Sequence, residues 1–206
     1  VIVEYVNQDQ NAFEGGVESG NFTSAKGGYP DEEIPGIPGW YDSTDGIVGE
    51  YLTLLQLDVG SYTFGVNSDD GFRATIGANF NDILSQGVGV FEGNRGAGNT
   101  QFTFYIAEAG LYPYRVLWYE GGGGASVEIF SLVDIDGKAT KVLINDPDVE
   151  GSIKAYTIKG VETDVSTTER VRTGRAAVVS VMPGQGEKRV ESSSPIEVVI
   201  ENGSAT

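Results

Sequence analysis

The sequence predicts an all-β fold, an antiparallel β-sandwich with long ordered loops. Three observations carry the prediction. Apolar residues recur at period two, so that Tyr62, Phe64 and Val66 share one strand face and Phe72, Ala74 and Ile76 share another. Glycine makes up 30 of 206 residues, about twice its usual share, which points to many turns and close backbone approaches. No segment shows a helical period over a helical length.

The strands follow in order, separated by Gly, Asn and Asp clusters at the short spacing of a sandwich. Residues 1–6 are the first candidate. Residues 51–57, YLTLLQL, form a short apolar run that periodicity alone cannot type. The strands around Phe64 and Phe72 are expected to be joined by a tight Asp-Gly turn. Residues 87–91 come next. QFTFYIA then aligns Phe102, Phe104 and Ile106; GLYPYRVLWYE aligns Tyr112, Tyr114, Val116 and Trp118; SVEIFSLV aligns Val127 and Ile129. Residues 140–144 and 153–158 complete the set.

Between the first strand and residue 51 lies a Gly-, Pro- and acid-rich passage that includes PDEEIPGIPGW. Pro30, Pro35 and Pro38 keep it out of regular structure. An ordered loop draped over the sandwich is expected, either covering an apolar face with Ile34, Ile37 and Trp40 or serving function directly. After about residue 160 aromatic residues disappear, and Arg170, Arg172 and Arg175 are grouped. The predicted organisation is therefore a sandwich over 1–160, a linker over 161–176, and a segment over 177–206. RAAVVSV and SPIEVVIEN in that last part read as two strands, too few to be stable alone. They would belong to an incomplete immunoglobulin-like module or add to another sheet.

Composition excludes several function classes. The chain has no Cys and no His, which removes Ser-His-Asp and Cys-His catalysis and the usual zinc ligand sets. Chemistry would have to rest on carboxylates, Lys, Tyr or a hard cation held by oxygen. A formal charge of −17 repels phosphate backbones and anionic membrane surfaces, so no nucleic-acid partner and no membrane insertion are expected. No apolar run approaches the ~20 residues of a membrane span. VIVEYV at residues 1–6 lacks the basic start of a signal peptide, so any export signal would already be gone.

The informative strings are YTFGVNSDDGFRATIG, residues 62–77, and GLYPYRVLWYEGGGGASVEIF, residues 110–130. An alternating aromatic strand leads into Ser68-Asp69-Asp70-Gly71-Phe72-Arg73; later an Ala-Gly-x-Tyr-Pro-x-Arg-Val strand leads into a Gly-rich loop. Together these closely resemble the protective-antigen-type (PA-fourteen) domain, a β-sandwich of bacterial toxins, glycosidase inserts, adhesins and fungal flocculins. The resemblance runs over roughly residues 1–160. In its flocculin-like lectin members, two successive Asp joined by a cis peptide bind calcium, and the calcium binds vicinal sugar hydroxyls. Asp69 and Asp70 match that pair.

The resemblance implies a third side-chain ligand at the end of the later aromatic strand, where the family has Asn. This sequence has Glu120, followed by Gly121, Gly122, Gly123 and Gly124. A carboxylate is an acceptable calcium ligand, but it adds charge and alters the sugar geometry. Calcium takes 6–8 oxygens, so backbone carbonyls, Gly122 among them, would complete the shell. The four glycines would leave an open, shallow sugar site.

Competing readings are structural. Asp69-Asp70-Gly71 also fits a plain hairpin turn, and Gly121 to Gly124 a flexible one. Trp118, Tyr114 and Tyr119 could stack on pyranose rings, but alternation assigns Trp118 to the core. Arg73 is expected to pair with a carboxylate. Asp134-Ile135-Asp136-Gly137 starts like an EF-hand loop, yet its twelfth position is Asn145, so it reads as a hairpin. NDPDVE, residues 145–150, is an acidic turn, and GVGVFEGNRGAG, residues 87–98, lacks dinucleotide spacing. Asn21-Phe22-Thr23 and Asn202-Gly203-Ser204 fit the glycosylation pattern.

The sequence thus predicts a noncatalytic, calcium-dependent carbohydrate-binding module of a longer extracellular or cell-surface protein, with glycans as partners. The alternative is a structural or assembly module of a surface layer, adhesin or fibre, with calcium serving stability and C-terminal strands serving self-assembly. Adjacent Asp69 and Asp70 suit one cation better than the separated carboxylates that glycoside hydrolysis needs.

Overall fold

The computed structural model describes residues 1–13, 16–26, 29–37, 44–77, 79–80, 84–157, 170–172, 178–179 and 197–199. Its strands are β1 (Asn7–Asp9), β2 (Ile47–Leu57), β3 (Gly60–Asp69), β4 (Gly71–Ile76), β5 (Gln86–Phe91), β6 (Gly98–Ile106), β7 (Gly110–Glu120), β8 (Ser126–Ile135), β9 (Lys138–Leu143) and β10 (Ala155–Tyr156). Three short strands follow: β11 (Arg170–Arg172), β12 (Val178–Val179) and β13 (Glu197–Val199). The strands named in these sheets pair antiparallel. Sheet A runs β1-β8-β3-β6-β12, with β9 on β8; sheet B runs β10-β2-β7-β4-β5. The fold class read from the sequence is the one observed.

Alternation places Phe64, Val66 and Phe104 from sheet A against Phe72, Ala74, Ile76, Tyr114, Val116 and Trp118 from sheet B, all buried. Phe64 is the hinge of this packing. Its ring meets Phe104 at 4.8 Å and Tyr114 at 5.7 Å between centroids, both nearly perpendicular, an arrangement that aligns ring edges with ring faces. Trp118 and Tyr114 are therefore core residues and are closed to a sugar ring.

Two expectations need correction, on the first strand and on the Asp-Gly turn. The first strand is Asn7–Asp9 rather than 1–6. Asn7, Gln8 and Asp9 carry no apolar alternation, while Val1 and Ile2 are exposed. One helical turn follows this strand, α1 (Gln10–Phe13), which is consistent with the absence of any segment of helical length. The Asp-Gly turn after Asp69 does not close a hairpin. β3 belongs to sheet A and β4 to sheet B, so Asp69-Asp70-Gly71 carries the chain across the sandwich. Both strands alternate because both send apolar side chains into the same core.

The true two-residue hairpin is Asp136-Gly137 between β8 and β9. Both residues have positive φ, 55° and 77°, and Gly137 N donates to Asp134 Oδ1 at 2.7 Å. The acidic turn after Leu143 is likewise local, with Asp148 N on Asp146 Oδ1 at 2.9 Å. Ile34 and Ile37 are buried in the core, so this part of the Pro-rich passage does cover the sandwich. Trp40 and most of the 161–176 linker lie outside the described residues. Of the C-terminal part, β12 pairs with β6 and β11 with β13.

Residues 126–131 of β8 are buried without alternation. The inner face meets the core, and the outer face is covered by residues 18–26 and 29–33. There Phe22, Phe130 and Leu143 make a second apolar cluster with Tyr5, Tyr29 and Leu132.

Candidate metal centre

Three passages cross from one sheet to the other at the same end of the sandwich: Asp69–Gly71 from β3 to β4, residues 92–97 from β5 to β6, and residues 121–125 from β7 to β8. Asp70 ties them together. Its Oδ1 accepts Arg95 N at 2.6 Å, its Oδ2 accepts Gly121 N at 2.9 Å, and its own N donates to Tyr119 O at 3.2 Å. The Asp69-Asp70 peptide bond is cis.

The carboxylates of Asp69, Asp70 and Glu120 offer oxygens that all lie within 4.8 Å of one another. The sequence therefore chose the three residues that the fold brings together. Asp70 and Glu120 are buried, and Asp69 is half-buried. Both Glu120 carboxylate oxygens are buried, and neither meets a donor at full hydrogen-bond geometry among the described residues; the Gly122 amide acts on this carboxylate only as a weaker contact.

The charges in this cluster oppose one another. Burial first, then the charges of Asp70 and Asp9, push the Asp69 carboxyl up to about 6 against the opposing effect of Arg95. Glu120 is pushed up to about 7 by burial first, then by Asp70 and Asp69, with the Gly122 amide acting the other way. A carboxylate with two unsatisfied buried oxygens, facing two more acids, requires a proton or a cation. An all-oxygen donor set of this kind fits a hard ion such as calcium.

The glycine loop borders this cluster, and its members differ in what they face. At Gly124 a Cβ would come within 2.7 Å of Asn11 Nδ2 and 2.8 Å of Asp69 Oδ2, so a side chain there would enter the site. At Gly121 it would come within 3.1 Å of Asp70 Oδ2 and 3.5 Å of Asn94 Nδ2. Gly123 N donates to Asp45 Oδ1 at 3.0 Å, and Gly122 also lies beside Asp45.

Several site residues escaped the sequence reading. Arg95 clamps the β3 end: Nε donates to Ser68 O at 3.0 Å, Nη2 to Ser68 Oγ at 2.8 Å and Nη1 to Thr100 Oγ1 at 2.9 Å, while the guanidinium sits 3.9 Å from the Phe91 ring centroid. Its only signal was its place in GNRG, a loop between two strands. Trp118 Nε1 donates to Asp69 O at 2.8 Å, fixing the backbone from below. Asn11 and Asn94 flank the two aspartates from α1 and from the β5–β6 crossing. Arg73, by contrast, is exposed; the ion pair found among the described residues is Arg115–Glu50, at 2.6 Å. Tyr119 Oη is engaged with Gly93 N and O at 2.8 and 3.0 Å.

No family model and no curated protein matches the chain. Among solved structures it is similar to a PA14 sugar-binding domain from an RTX adhesin, with 24% identity, 47% of this chain and 50% of that chain covered, and a TM-score of 0.38. It is also similar to the PA14 domain of the MpAFP antifreeze protein, with 17% identity, coverage of 77% and 73%, and a TM-score of 0.38. Both are PA14-type domains, the type the two sequence strings resemble. The chain spans half the length of the first of these structures.

Proposed function

We propose that the chain is a noncatalytic, calcium-dependent carbohydrate-binding module of the adhesin type, displayed outside the cell. The observation that carries this reading is Glu120, whose two oxygens are buried without a full hydrogen bond and one of which lies within 4.8 Å of an oxygen of Asp69 and of one of Asp70. In this reading Asp69, Asp70 and Glu120 hold the ion, and the Gly122 carbonyl adds to its shell. Bound calcium keeps exchangeable positions that vicinal hydroxyls can fill.

The remaining steps belong to the chain. Arg95, Ser68 and Trp118 hold the Asp69-Asp70 backbone in place. Gly121 to Gly124 keep the mouth shallow, and the Asn11 and Asn94 amides border it, able to donate to one hydroxyl and accept from another. Extracellular display suits such a site, because weak calcium modules fill at the ~0.1–1 mM levels found there. Three carboxylates gathered on one point serve a cation rather than the separated acid and base of a glycosidase.

Glycan-array binding in millimolar calcium and again with a chelator tests the proposal. Binding that disappears with the chelator, and with Asp69→Asn/Asp70→Asn, is expected. Glycan binding indifferent to both sinks it. The pairing of β12 on the β6 edge favours a second reading, an assembly module whose C-terminal strands add to a neighbouring sheet. Sedimentation that shows monomers at every concentration, with and without calcium, would exclude that one.

A further inference from the structure

A second group of buried oxygens lies on the outer face of sheet A. The register puts Asn7, Glu128 and Asn67 in one cross-strand row and Asp9, Ser126 and Asp69 in the next. Segment 31–33 runs parallel to β1, bridged at Gln8 and Glu32, with Glu32 N on Asn7 O at 2.9 Å and Asp9 N on Glu32 O at 3.2 Å. Alternation then places Asp31 on the same face as Asn7 and Asp9. The segment from Ser19 to Phe22 roofs this face. Ser19 N and Oγ donate to Asp9 Oδ2 at 2.6 and 2.5 Å, and Phe22 N donates to Glu128 Oε1 at 2.9 Å.

Donors in this pocket are unevenly shared. Asp9 also accepts Asn11 N on Oδ1 at 2.9 Å, and Glu128 accepts Asn21 N and Nδ2 as well as Phe22 N, so what goes unmet is the Asn7, Asp31 and Ser126 oxygens. Asn7 is 0% exposed and Asp9 1%. The Asn7 amide nitrogen donates to Pro30 O at 3.3 Å, next to Asp31, and its Oδ1 is buried with no partner. Asp31 Oδ2 and Ser126 Oγ are in the same condition. Burial first, then the charges of Asp9, Glu18 and Glu128, push the Asp31 carboxyl up to about 7. The cation facing the row, Lys141, is taken up by Asn21 Oδ1 at 2.5 Å and acts on Glu128. Water would satisfy the lone pairs and leave the charge; a hard cation answers both.

We infer that Asp9, Asp31 and the Asn7 side-chain oxygen hold a second divalent cation of the calcium kind, which pins residues 29–33 and the Ser19–Phe22 passage to sheet A. It is separate from the Asp69 cluster. Asp9 and Asp69 stand on opposite sides of β8, two strand spacings or about 10 Å apart. The inference does not depend on sugar binding or on the first ion.

Calcium stoichiometry of the full chain, by equilibrium dialysis and native mass spectrometry, tests it. Two ions per chain are expected, one surviving Asp69→Asn/Asp70→Asn and that one weakened at least tenfold by Asp31→Asn. One ion, lost with Asp69→Asn/Asp70→Asn, overturns this inference and keeps the first site. One ion that survives that pair and is lost with Asp31→Asn supports it and overturns the first site. No binding overturns both, and a second ion indifferent to Asp31→Asn overturns the placement. Anomalous scattering from calcium-grown wild-type crystals decides without any variant: a peak beside Asp31 and Asp9 is expected, and its absence overturns the inference.

Discussion

Glu120→Gln keeps the shape of a buried side chain and removes one charge, so its two effects have opposite signs. In the ion-free fold the Glu120 carboxyl has risen from its ordinary 4.5 to about 7. The folded chain therefore holds a proton that the unfolded chain has already released between those values. This stabilisation is complete below about pH 4.5 and is lost as pH rises through about 7. At about 1.4 kcal/mol per pKa unit the ceiling is ~3.5 kcal/mol; water reaching the open end of the sandwich reduces it to ~1–2 kcal/mol. With a chelator at pH 8, Glu120→Gln should therefore melt about 3–6 °C above wild type for a domain of this size. At pH 4.5 the two should coincide. In excess calcium the order should reverse, because the variant loses an anionic ligand and with it ~1.5–3 kcal/mol of binding, or roughly 10–100-fold in affinity. Thermal melts at both pH values, with chelator and with calcium, read all of this. A variant no more stable than wild type in chelator at pH 8, or one with an undiminished calcium shift, would refute the reasoning.

The other expectations concern the walls of the same pocket. Gly124→Ala puts a methyl 2.8 Å from Asp69 Oδ2 and should weaken calcium about tenfold by calorimetry, whereas Gly96→Ala, which faces open space, should not; equal affinities would remove Gly124 from the site. Trp118→Phe strips the donor from Asp69 O and leaves a buried carbonyl unpaired, so urea denaturation should show a loss of about 2–4 kcal/mol from the hydrogen bond and the void together. A loss under ~1 kcal/mol would mean that the indole does not hold that backbone. Asn11→Ala and Asn94→Ala should leave calcium affinity within about threefold and change which glycans bind; an unchanged glycan profile would take the amides out of recognition.

Much of the sandwich could be read directly, because β3, β4, β6 and β7 alternate large apolar residues; β3 is buried on both faces over residues 64–68, but its outer row there is Gly65 and Asn67, which leaves the apolar alternation visible. β1 could not. Asn7 and Asp9 face a polar layer and Gln8 accepts from Tyr51 Oη at 2.7 Å, so nothing apolar marks them. β8 was read from Val127 and Ile129 alone, since its outer row of Ser126, Glu128 and Phe130 is buried by a remote segment. The Asp69-Asp70-Gly71 turn shows a different limit. Alternation on both sides of a short turn is common to a hairpin and to a crossing between sheets, and only the partners, β6 and β8 for β3 but β5 and β7 for β4, distinguish them. The three carboxylates were legible because two are adjacent and the third ends a strongly alternating strand. Arg95, Asn94 and Asn11 come from passages with no period, and only tertiary structure brings them to the aspartates.

That division has a physical consequence for how the site is built. The crossings at 69–71, 92–97 and 121–125 contribute little to the core, yet each is fastened by a bond between Asp70 and backbone: its own N to Tyr119, Oδ1 to Arg95 N, Oδ2 to Gly121 N. A single buried residue thus sets the spacing of all three passages, its carboxylate holding two of them. Each Asp70 oxygen spends one lone pair on an amide and keeps another for the pocket. Glu120 has no such structural duty, since neither of its oxygens makes a full hydrogen bond. Asp70→Asn should therefore disturb the loops as well as any bound cation, whereas Glu120→Gln acts on charge alone. Loop order and charge balance are separable in this cluster, and Glu120 is the residue at which the charge can be changed while the architecture stays.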